Sequence, residues 1–343
     1  MTDTVALVFA EALRIVGINA IVLSRRFVRR YLQGYKMSSE RILHRIANLV
    51  ITNRAQICRD TVWGVPIGFF HGVEVLYDVR ASKQGEAVVR SQYEPCPNDV
   101  SERVKNIFLS LFPRIPLFII DLGLWELHSE TERNELFKQL LVVIDTVREY
   151  FTDLNLMLVA TPRELKMRIN SILPSHEIAI LDDYEIYSGL DSKHVIVLDP
   201  YAEQCLDEKT IRKAHIYILG GIIDEVFPRP YATKTLVELH ALEAFPRYSL
   251  KLWGSTVGVP NRINKIIEII TSVRYGKSLE QAIIESMSTE DKIARILHEI
   301  HKRFGKERRV AIQQVLDIMR LFNLSEKFIH RIVSSLKSFE IKS

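Results

Sequence analysis

An apolar run that stops at two glycines constrains the fold of this chain most strongly: Ile216-Tyr-Ile-Leu-Gly-Gly-Ile-Ile-Asp224. Four consecutive apolar residues before Gly220 and Gly221 predict a buried strand of a parallel sheet. Paired glycines at the end of such a strand let the backbone approach a ligand, because no Cβ atom is in the way. In open α/β sheets, ligands bind at this edge. A simple glycine turn after a core strand is the alternative interpretation.

Other apolar runs share this feature, since they too end in a polar residue, and helical patterns separate them along the chain. Strands that alternate with helices predict a parallel, doubly wound sheet. The predicted strands are 117–121, 154–160, 178–181, 195–199, 216–219 and 248–253. The predicted helices are 131–150, 162–173, 202–211, 235–244, 261–272 and 278–286. The carboxyl-terminal edge of this sheet would bring together Asp121, Thr161, Asp199 and Gly220.

Two smaller modules flank the predicted sheet, and a length of 343 residues is enough for two or three domains. Residues 1–95 predict a small mixed α/β domain that ends in a proline-rich linker. Its elements are a helix at 5–15, a strand at 18–23, a helix at 40–51 and a hairpin or pair of strands at 66–77. Residues 288–343 predict a small all-α domain of three helices, at 289–304, 309–322 and 325–337. The sheet domain spans residues 112–285.

The positive charge is concentrated in the C-terminal module. Residues 288–343 carry 12 Lys and Arg against 7 Asp and Glu, whereas residues 1–287 sum to −1. The net charge of +4 is too small to establish a nucleic-acid partner by itself. A second basic run, Arg25-Arg-Phe-Val-Arg-Arg30, is either the solvated end of a helix or a patch that contacts phosphates.

Composition excludes several classes of protein. Hydrophobic residues make up 47% of the chain and charged residues 26%, which is typical of a soluble globular protein. No run of about 18 apolar residues predicts a transmembrane helix, and the first residues lack the basic start of a signal peptide. Cys58, Cys96 and Cys205 are far apart and form no CxxC pair. They predict a reducing compartment and no structural zinc site.

Two segments taken together resemble a known family, the archaeal tRNA position-9 N1-methyltransferases of the SPOUT, or trefoil-knot, superfamily. These segments are Ile216–Asp224 and Val257-Gly-Val-Pro-Asn-Arg-Ile-Asn-Lys-Ile-Ile267. Phe118-Ile-Ile-Asp121, Gln139 and Val197-Leu-Asp-Pro200 follow the family pattern in the same order. The resemblance covers about residues 112–285 and implies a C-terminal trefoil knot. True knots are rare, and periodicity does not indicate one.

The resemblance implies S-adenosylmethionine as the cofactor, bound by backbone groups of three loops and without a metal ion. The small residues Gly254, Ser255 and Gly258 suit a backbone that wraps closely around a ligand. The implied cofactor-binding residues are Leu198, Gly220, Gly221, Glu225, Phe227, Leu252, Ser255, Thr256, Val257, Val259 and Pro260.

The resemblance also implies the catalytic residues. Asp224 matches the proposed catalytic carboxylate of the family, and Asp121 and Gln139 match its neighbours in the pocket. Asn261 stands where the family often has aspartate. Guanine N1 carries a proton at neutral pH, so its methylation needs a base, whereas adenine N1 has a free lone pair. The missing acid at Asn261 therefore favours adenine, with guanine or both purines left open.

Each of these residues also has a structural interpretation. Asp121 could be the acid at a helix N-terminus, Gln139 a solvent-facing helix residue, and Asp199, before Pro200, a turn residue.

The implied substrate is tRNA, whose base 9 would have to be extracted from the folded molecule, as in base flipping. The candidate phosphate contacts are Arg148, Arg163, Lys166, Arg168, Arg229, Arg262 and Lys265. The family also implies a monomer, and we expect a cytoplasmic location without a membrane partner.

Two other functions stay open: a SPOUT methyltransferase for another RNA, and a non-catalytic RNA-binding protein that retains the knot. A nicotinamide dehydrogenase is disfavoured, because no GxGxxG motif follows a first strand.

Overall fold

A computed structural model of the chain describes residues 4–32, 37–79, 82–223 and 232–342. The chain divides into two compact units, one formed by Met1–Leu117 with Val147–Asp182 and the other by Phe118–Thr146 with Asp183–Ser343. The predicted three-domain boundaries stay a prediction.

The helices are α1 Thr4–Ile15, α2 Arg25–Tyr31, α3 Ser39–Ile51, α4 Ser101–Leu111, α5 Glu130–Tyr150, α6 Arg163–Ile172, α7 Glu208–Lys213, α8 Ala232–Leu239, α9 Ile263–Arg274, α10 Leu279–Ser286, α11 Thr289–Phe304, α12 Ile312–Leu321 and α13 Ile329–Ser335. The strands are β1 Ala20–Leu23, β2 Ala55–Phe70, β3 Val73–Tyr77, β4 Lys83–Ser91, β5 Leu117–Asp121, β6 Leu156–Val159, β7 Ala179–Ile180, β8 Val195–Leu198, β9 Ile216–Gly220, β10 Arg247–Tyr248, β11 Arg309–Ala311 and β12 Glu340–Lys342. Among the described residues, no helix is long and apolar enough to cross a membrane.

The first unit contains a closed four-stranded barrel in the order β1-β3-β2-β4. The predicted hairpin is confirmed, because β2 and β3 pair in antiparallel fashion. The sequence patterns missed the first half of β2 and the whole of β4. Strand β2 has a register shift between Arg59 and Val62, where its residues are exposed, so the alternation of apolar and polar residues is interrupted there. Strands β6 and β7 form a parallel pair in the same unit.

A disulfide bond joins Cys58 of β2 to Cys96. The cysteine spacing did not predict this pair, and a disulfide is unexpected in the reducing compartment that the spacing suggested. The two cysteines are 38 residues apart in the sequence, but the fold of the first unit brings their Cα atoms to 5.4 Å. Disulfides are typical of oxidising compartments and also of intracellular proteins from hyperthermophiles. Cys205 is free and exposed.

Replacement of Cys96 by serine is expected to lower the free energy of unfolding by about 3 kcal/mol, because the cross-link restricts the unfolded chain. Urea denaturation without reductant measures this change. Cys205→Ser, which removes the free thiol, should leave the midpoint unchanged. A Cys96→Ser protein as stable as the wild type would contradict the stabilising role of the disulfide.

The second unit is built on strands in the order β10-β8-β9-β5. Strand β8 pairs in parallel with both of its neighbours, so that Leu198 lies opposite Leu219 on one side and Tyr248 on the other. All four residues of β8 are buried, as expected for a parallel strand covered on both faces. The predicted parallel arrangement is confirmed for these strands, and it places their carboxyl ends at one edge.

Several predicted element boundaries in the second unit were wrong. The helix predicted at 202–211 begins only at Glu208, because the Asp207 side chain caps it by accepting a hydrogen bond from the Thr210 amide (2.6 Å). The helix predicted at 235–244 is α8, which ends at Leu239. The strand predicted at 248–253 is reduced to the two residues of β10.

The C-terminal segment is helical, as predicted, except at two places. The first part of the predicted helix at 309–322 is the short strand β11, which pairs in parallel with β12. The segment predicted as a helix at 325–337 begins with a 3₁₀ turn and continues as α13. The first of these helices, α11, contacts the segment 252–260 through Arg295.

Candidate active site

Three segments of the second unit leave neighbouring parallel strands at the same edge. The first follows Leu198 of β8, the second contains Gly220 and Gly221 at the end of β9, and the third begins at Leu252 after β10. Strand β5 ends here too, since the Gly221 amide donates a hydrogen bond to the carbonyl oxygen of Asp121 (2.7 Å). The predicted convergence on one edge is therefore confirmed for Asp121, Asp199 and Gly220. Thr161 follows β6 in the first unit.

Among the described acids of this edge, Asp121 is the most enclosed and has no exposed surface. Its Oδ1 accepts a hydrogen bond from the Gly123 amide (2.9 Å). Its Oδ2 accepts one from the hydroxyl of Tyr187 (2.7 Å) and lies 2.6 Å from Nδ1 of His240. A carboxylate with this many partners is held in one position. The structure therefore makes Asp121 the centre of a hydrogen-bond network.

Tyr187, which donates to Asp121, is protonated in this network. Burial, followed by the negative charge of the Asp121 carboxylate, raises the pKa of the Tyr187 hydroxyl well above its usual range. The phenol therefore stays protonated at neutral pH and donates to the carboxylate.

Gly221, which directly follows β9, is closely packed. A Cβ atom on Gly221 would lie 2.6 Å from a methyl carbon of Leu122 and 3.2 Å from the carbonyl oxygen of Asp121. The segment beyond Gly221 is fixed by His128, whose Nε2 accepts a hydrogen bond from the Ile223 amide (2.9 Å). Nδ1 of His128 therefore carries the proton and faces the carbonyl oxygen of Trp125 at 3.3 Å.

The third segment, 252–260, is held by a buried arginine of α11. Arg295 has no exposed surface, and its guanidinium donates hydrogen bonds to the carbonyl oxygens of Leu252 (2.5 Å), Ser255 (3.3 Å) and Val257 (3.1 Å). Its charge is balanced by Glu299, with Nε 3.0 Å from the carboxylate. Arg295 therefore fixes the carbonyl groups of Leu252, Ser255 and Val257 in this loop.

Two glycines of this loop adopt positive φ angles but differ in their surroundings. A Cβ atom added to Gly254 (φ +81°) would meet no other atom within 4 Å, whereas a Cβ on Gly258 (φ +71°) would lie 2.5 Å from the carbonyl oxygen of Asp291. Both replacements by alanine carry backbone strain of about 1 kcal/mol. Only the change at Gly258 adds a collision with backbone.

We therefore expect Gly258→Ala to lower the free energy of unfolding by about 3 kcal/mol or more, and Gly254→Ala by about 1 kcal/mol. Thermal unfolding followed by circular dichroism measures both. Equal effects of the two substitutions would show that the loop is not packed against α11 as described.

The remaining predicted residues of the edge occupy different environments. Asp199 is buried and makes a turn, because its Oδ1 accepts from the Tyr201 amide (3.0 Å) while Arg247 contacts Oδ2 (3.3 Å). The turn interpretation is thus the one that its contacts favour. Gln139 is half-buried on α5, and Asn261 is exposed just before α9. Roles in catalysis for Gln139 and Asn261 stay predictions.

The predicted cofactor-binding residues in the described ranges lie at this edge of the sheet. They differ in solvent exposure. Leu198, Leu252 and Pro260 are buried, Ser255 and Val259 are half-buried, and Thr256 and Val257 are exposed. Four further predicted residues, Asp224, Glu225, Phe227 and Arg229, lie outside the described residues.

The predicted RNA-binding residues differ in how far their charges are neutralised. In the first unit, Arg148 is paired with the buried Asp153 (2.6 Å), and Lys166 with Asp182 (2.9 Å). Arg163 is exposed, and Arg168 lies 4.0 Å from Glu164. In the second unit, Arg262 is exposed and Lys265 is paired with Glu268 (2.7 Å). A phosphate contact would compete with these carboxylates. The roles stay predictions.

Sequence reasoning missed His128, His240, Tyr187 and Arg295. No local motif marks them, because each acts on residues that are 38 or more positions away. A buried histidine or arginine in an apolar pattern would have been the only signal. No group of three metal-ligating side chains is placed to hold a metal ion in the ranges that the structure covers.

No family model matches the chain. Two curated proteins are similar to it over most of its length. The tRNA (adenine(9)-N1)-methyltransferase of Sulfolobus acidocaldarius is 28% identical over 305 residues, which cover 89% of this chain and 91% of the relative. The tRNA (guanine(9)-/adenine(9)-N1)-methyltransferase of Thermococcus kodakarensis is 28% identical over 343 residues, which cover 92% of this chain and 83% of the relative.

The fold is similar to that of a protein of known structure. A crystal structure of Sulfolobus acidocaldarius Trm10 in complex with S-adenosylhomocysteine superposes with a TM-score of 0.68 and covers 96% of this chain and 98% of that one, at 24% identity. Together with the two sequence relatives, this similarity confirms the resemblance to the archaeal tRNA position-9 methyltransferases.

Proposed function

We propose that this chain transfers a methyl group from S-adenosylmethionine to N1 of the purine at position 9 of tRNA. The observation that carries the proposal is the similarity to two position-9 N1-methyltransferases over 89% and 92% of the chain. The glycine pair of β9 and the network around Asp121 lie within the matched sheet and supply a site for such a reaction.

The residues at the edge fit the cofactor. Backbone groups after Leu198, at Gly220 and Gly221, and in the loop from Leu252 to Pro260 come from three neighbouring parallel strands. The buried side chains of Leu198 and Leu252 beside the polar backbone of these segments suit a ligand with an apolar purine and a polar ribose. When bound, S-adenosylmethionine supplies a methyl group activated by its sulfonium. The trefoil knot that the resemblance implies is part of this proposal.

In this proposal, side chains of the protein bind the purine and act on it. We assign to Asp224 the catalytic carboxylate implied by the resemblance, and to Gln139 a contact with the purine. Asp121 has its oxygens occupied by buried donors, so it acts by holding other groups in position. Asn261 in place of an acid favours adenine, and that preference remains a prediction.

The RNA surface, the oligomeric state and the location belong to the same proposal. The exposed Arg163 and Arg262 are the phosphate contacts that it favours among the predicted residues. A monomer in the cytoplasm follows from the resemblance.

Methylation assays on separate RNA classes test the proposed function. Purified protein is incubated with S-adenosylmethionine and with unmodified tRNA or unmodified ribosomal RNA, and the nucleosides are then analysed by mass spectrometry. We expect 1-methyladenosine or 1-methylguanosine in tRNA alone. Methylation of ribosomal RNA alone would identify the chain as a methyltransferase for another RNA. Failure to bind the cofactor, measured by calorimetry, would identify a non-catalytic RNA-binding protein.

A further inference from the structure

His240 and Asp121 form a buried pair that no catalytic role yet explains. Nδ1 of His240 lies 2.6 Å from Oδ2 of Asp121, and the two side chains are 3% and 0% exposed. The histidine follows the last residue of α8, and its amide is tied to the carbonyl oxygen of Leu236 (3.0 Å). Both partners are therefore fixed by secondary structure.

The hydrogen bonds determine how the imidazole is protonated. Oδ2 of Asp121 accepts from the Tyr187 hydroxyl and lies against Nδ1 of His240, so an oxygen that accepts from both neighbours satisfies this geometry. Nδ1 of His240 therefore carries a proton and donates it to Asp121. In the neutral ring, Nε2 then has a free lone pair, as in the histidine of an Asp–His pair that acts as a base.

The ring cannot turn away from this orientation. Tyr184 stacks on one face, with ring centroids 4.2 Å apart and an interplanar angle of 12°. Gly123 packs at the edge of the ring, where an added Cβ atom would meet Cε1 and come within 2.6 Å of Nε2. The titratable groups that contact the ring in the described ranges are Asp121, Tyr184 and Tyr187. Among these residues, none donates to Nε2 or accepts from it.

Nε2 also lies at the reactive edge of the sheet. Gly123, which borders it, follows the carboxyl end of β5, and the carbonyl oxygen of Asp121 binds the Gly221 amide (2.7 Å) in the glycine pair of β9. A proton acceptor at this edge lies where ligands bind in parallel α/β sheets.

We propose that Asp121 and His240 form a proton-accepting dyad in which Nε2 of His240 takes the N1 proton of guanine during methylation. This inference rests on the proposed function and deepens it, because it assigns the base and predicts that guanine is a substrate.

The step is balanced in atoms and charge. The N1–H bond of guanine breaks and its proton moves to Nε2, while the nitrogen electron pair forms the bond to the methyl carbon. The carbon–sulfur bond breaks, and its electrons convert the sulfonium into a neutral thioether. The imidazolium is stabilised by Asp121 and later releases the proton to water. Methylation of adenine N1 needs no such transfer and gives a cationic base.

This assignment changes the expectation derived from Asn261. The missing acid at that position removes one candidate base, but the dyad is supplied by β5 and by the residue after α8. We therefore expect activity on guanine as well as on adenine.

His240→Asn is the informative substitution, because its amide nitrogen can replace Nδ1 as the donor to Asp121 but leaves nothing basic at the position of Nε2. We expect kcat on tRNA with guanine at position 9 to fall about 100-fold or more, the range of general-base catalysis, with little change in KM. Activity on the adenine counterpart should stay within about threefold, because no proton is transferred there.

The pH profile separates a base from a structural role. The wild-type rate on guanine should rise with pH, because a base must be unprotonated to accept a proton, and His240→Asn should lack this rise. Asp224→Asn is measured beside it. Equal losses on both purines, an unchanged guanine rate in His240→Asn, a guanine-selective loss in Asp224→Asn alone, or a wild type active only on adenine would each overturn the dyad. Failure of the proposed function itself is distinguishable, since the wild type would then methylate neither purine.

Discussion

Replacement of Arg295 by leucine is expected to lower the free energy of unfolding by about 3–5 kcal/mol, the usual cost of breaking a buried ion pair from one side. The guanidinium of Arg295 has no exposed surface and binds the carboxylate of Glu299 and three carbonyl groups of the loop 252–260. Leucine would leave Glu299 charged and buried. It would also leave the carbonyl oxygens of Leu252, Ser255 and Val257 without this donor.

Binding of S-adenosylmethionine should weaken about tenfold or more in Arg295→Leu, because an unfixed loop must be ordered when the ligand binds. Urea denaturation and titration calorimetry measure the two effects. Arg303→Leu is the matched control, since Arg303 contacts the same Glu299 at 3.4 Å but is 43% exposed. If both substitutions had the same small effect, Arg295 would not hold the loop.

The second large effect is expected for Asp121→Ala, which removes the acceptor shared by Gly123, Tyr187 and His240. Three donors would be left without their partner in a region with almost no solvent, at a total cost of about 3 kcal/mol. Methyl transfer should fall about 100-fold or more, because the groups that Asp121 orients would lose their geometry.

The control is a substitution at an exposed position of the second unit. Asp145→Ala removes an exposed carboxylate of α5 and should change neither stability nor rate measurably. Steady-state kinetics with S-adenosylmethionine and tRNA, together with thermal unfolding, give both quantities. A rate for Asp121→Ala close to that of the wild type would remove Asp121 from the site.

The buried strands of the sheet were predictable from the sequence. Val195–Leu198 and Ile216–Leu219 are uninterrupted apolar runs, and parallel strands covered on both faces require such runs. The polar residues after them identified the edge at which Asp121, Asp199 and Gly220 lie. The resemblance added the cofactor and the substrate, which periodicity alone does not indicate.

The contacts that complete the site were not predictable, because they join distant parts of the chain. His240 is 119 residues from Asp121, and Arg295 is 43 residues from Leu252. A side chain that is buried by a distant partner leaves no periodic pattern in its own neighbourhood. For the same reason the disulfide between Cys58 and Cys96 was missed, since only the folded first unit brings these two residues together.

The central claim is tested most directly by mapping the methylated position on transcripts of one tRNA that differ only at position 9. Primer extension locates a modification on the Watson–Crick edge, and nucleoside mass spectrometry identifies the methylated base. We expect N1-methylation at position 9 when the base is adenine or guanine and no product when it is uracil or cytosine. Methylation at another position, or methylation that persists with a pyrimidine at position 9, would contradict the proposed function.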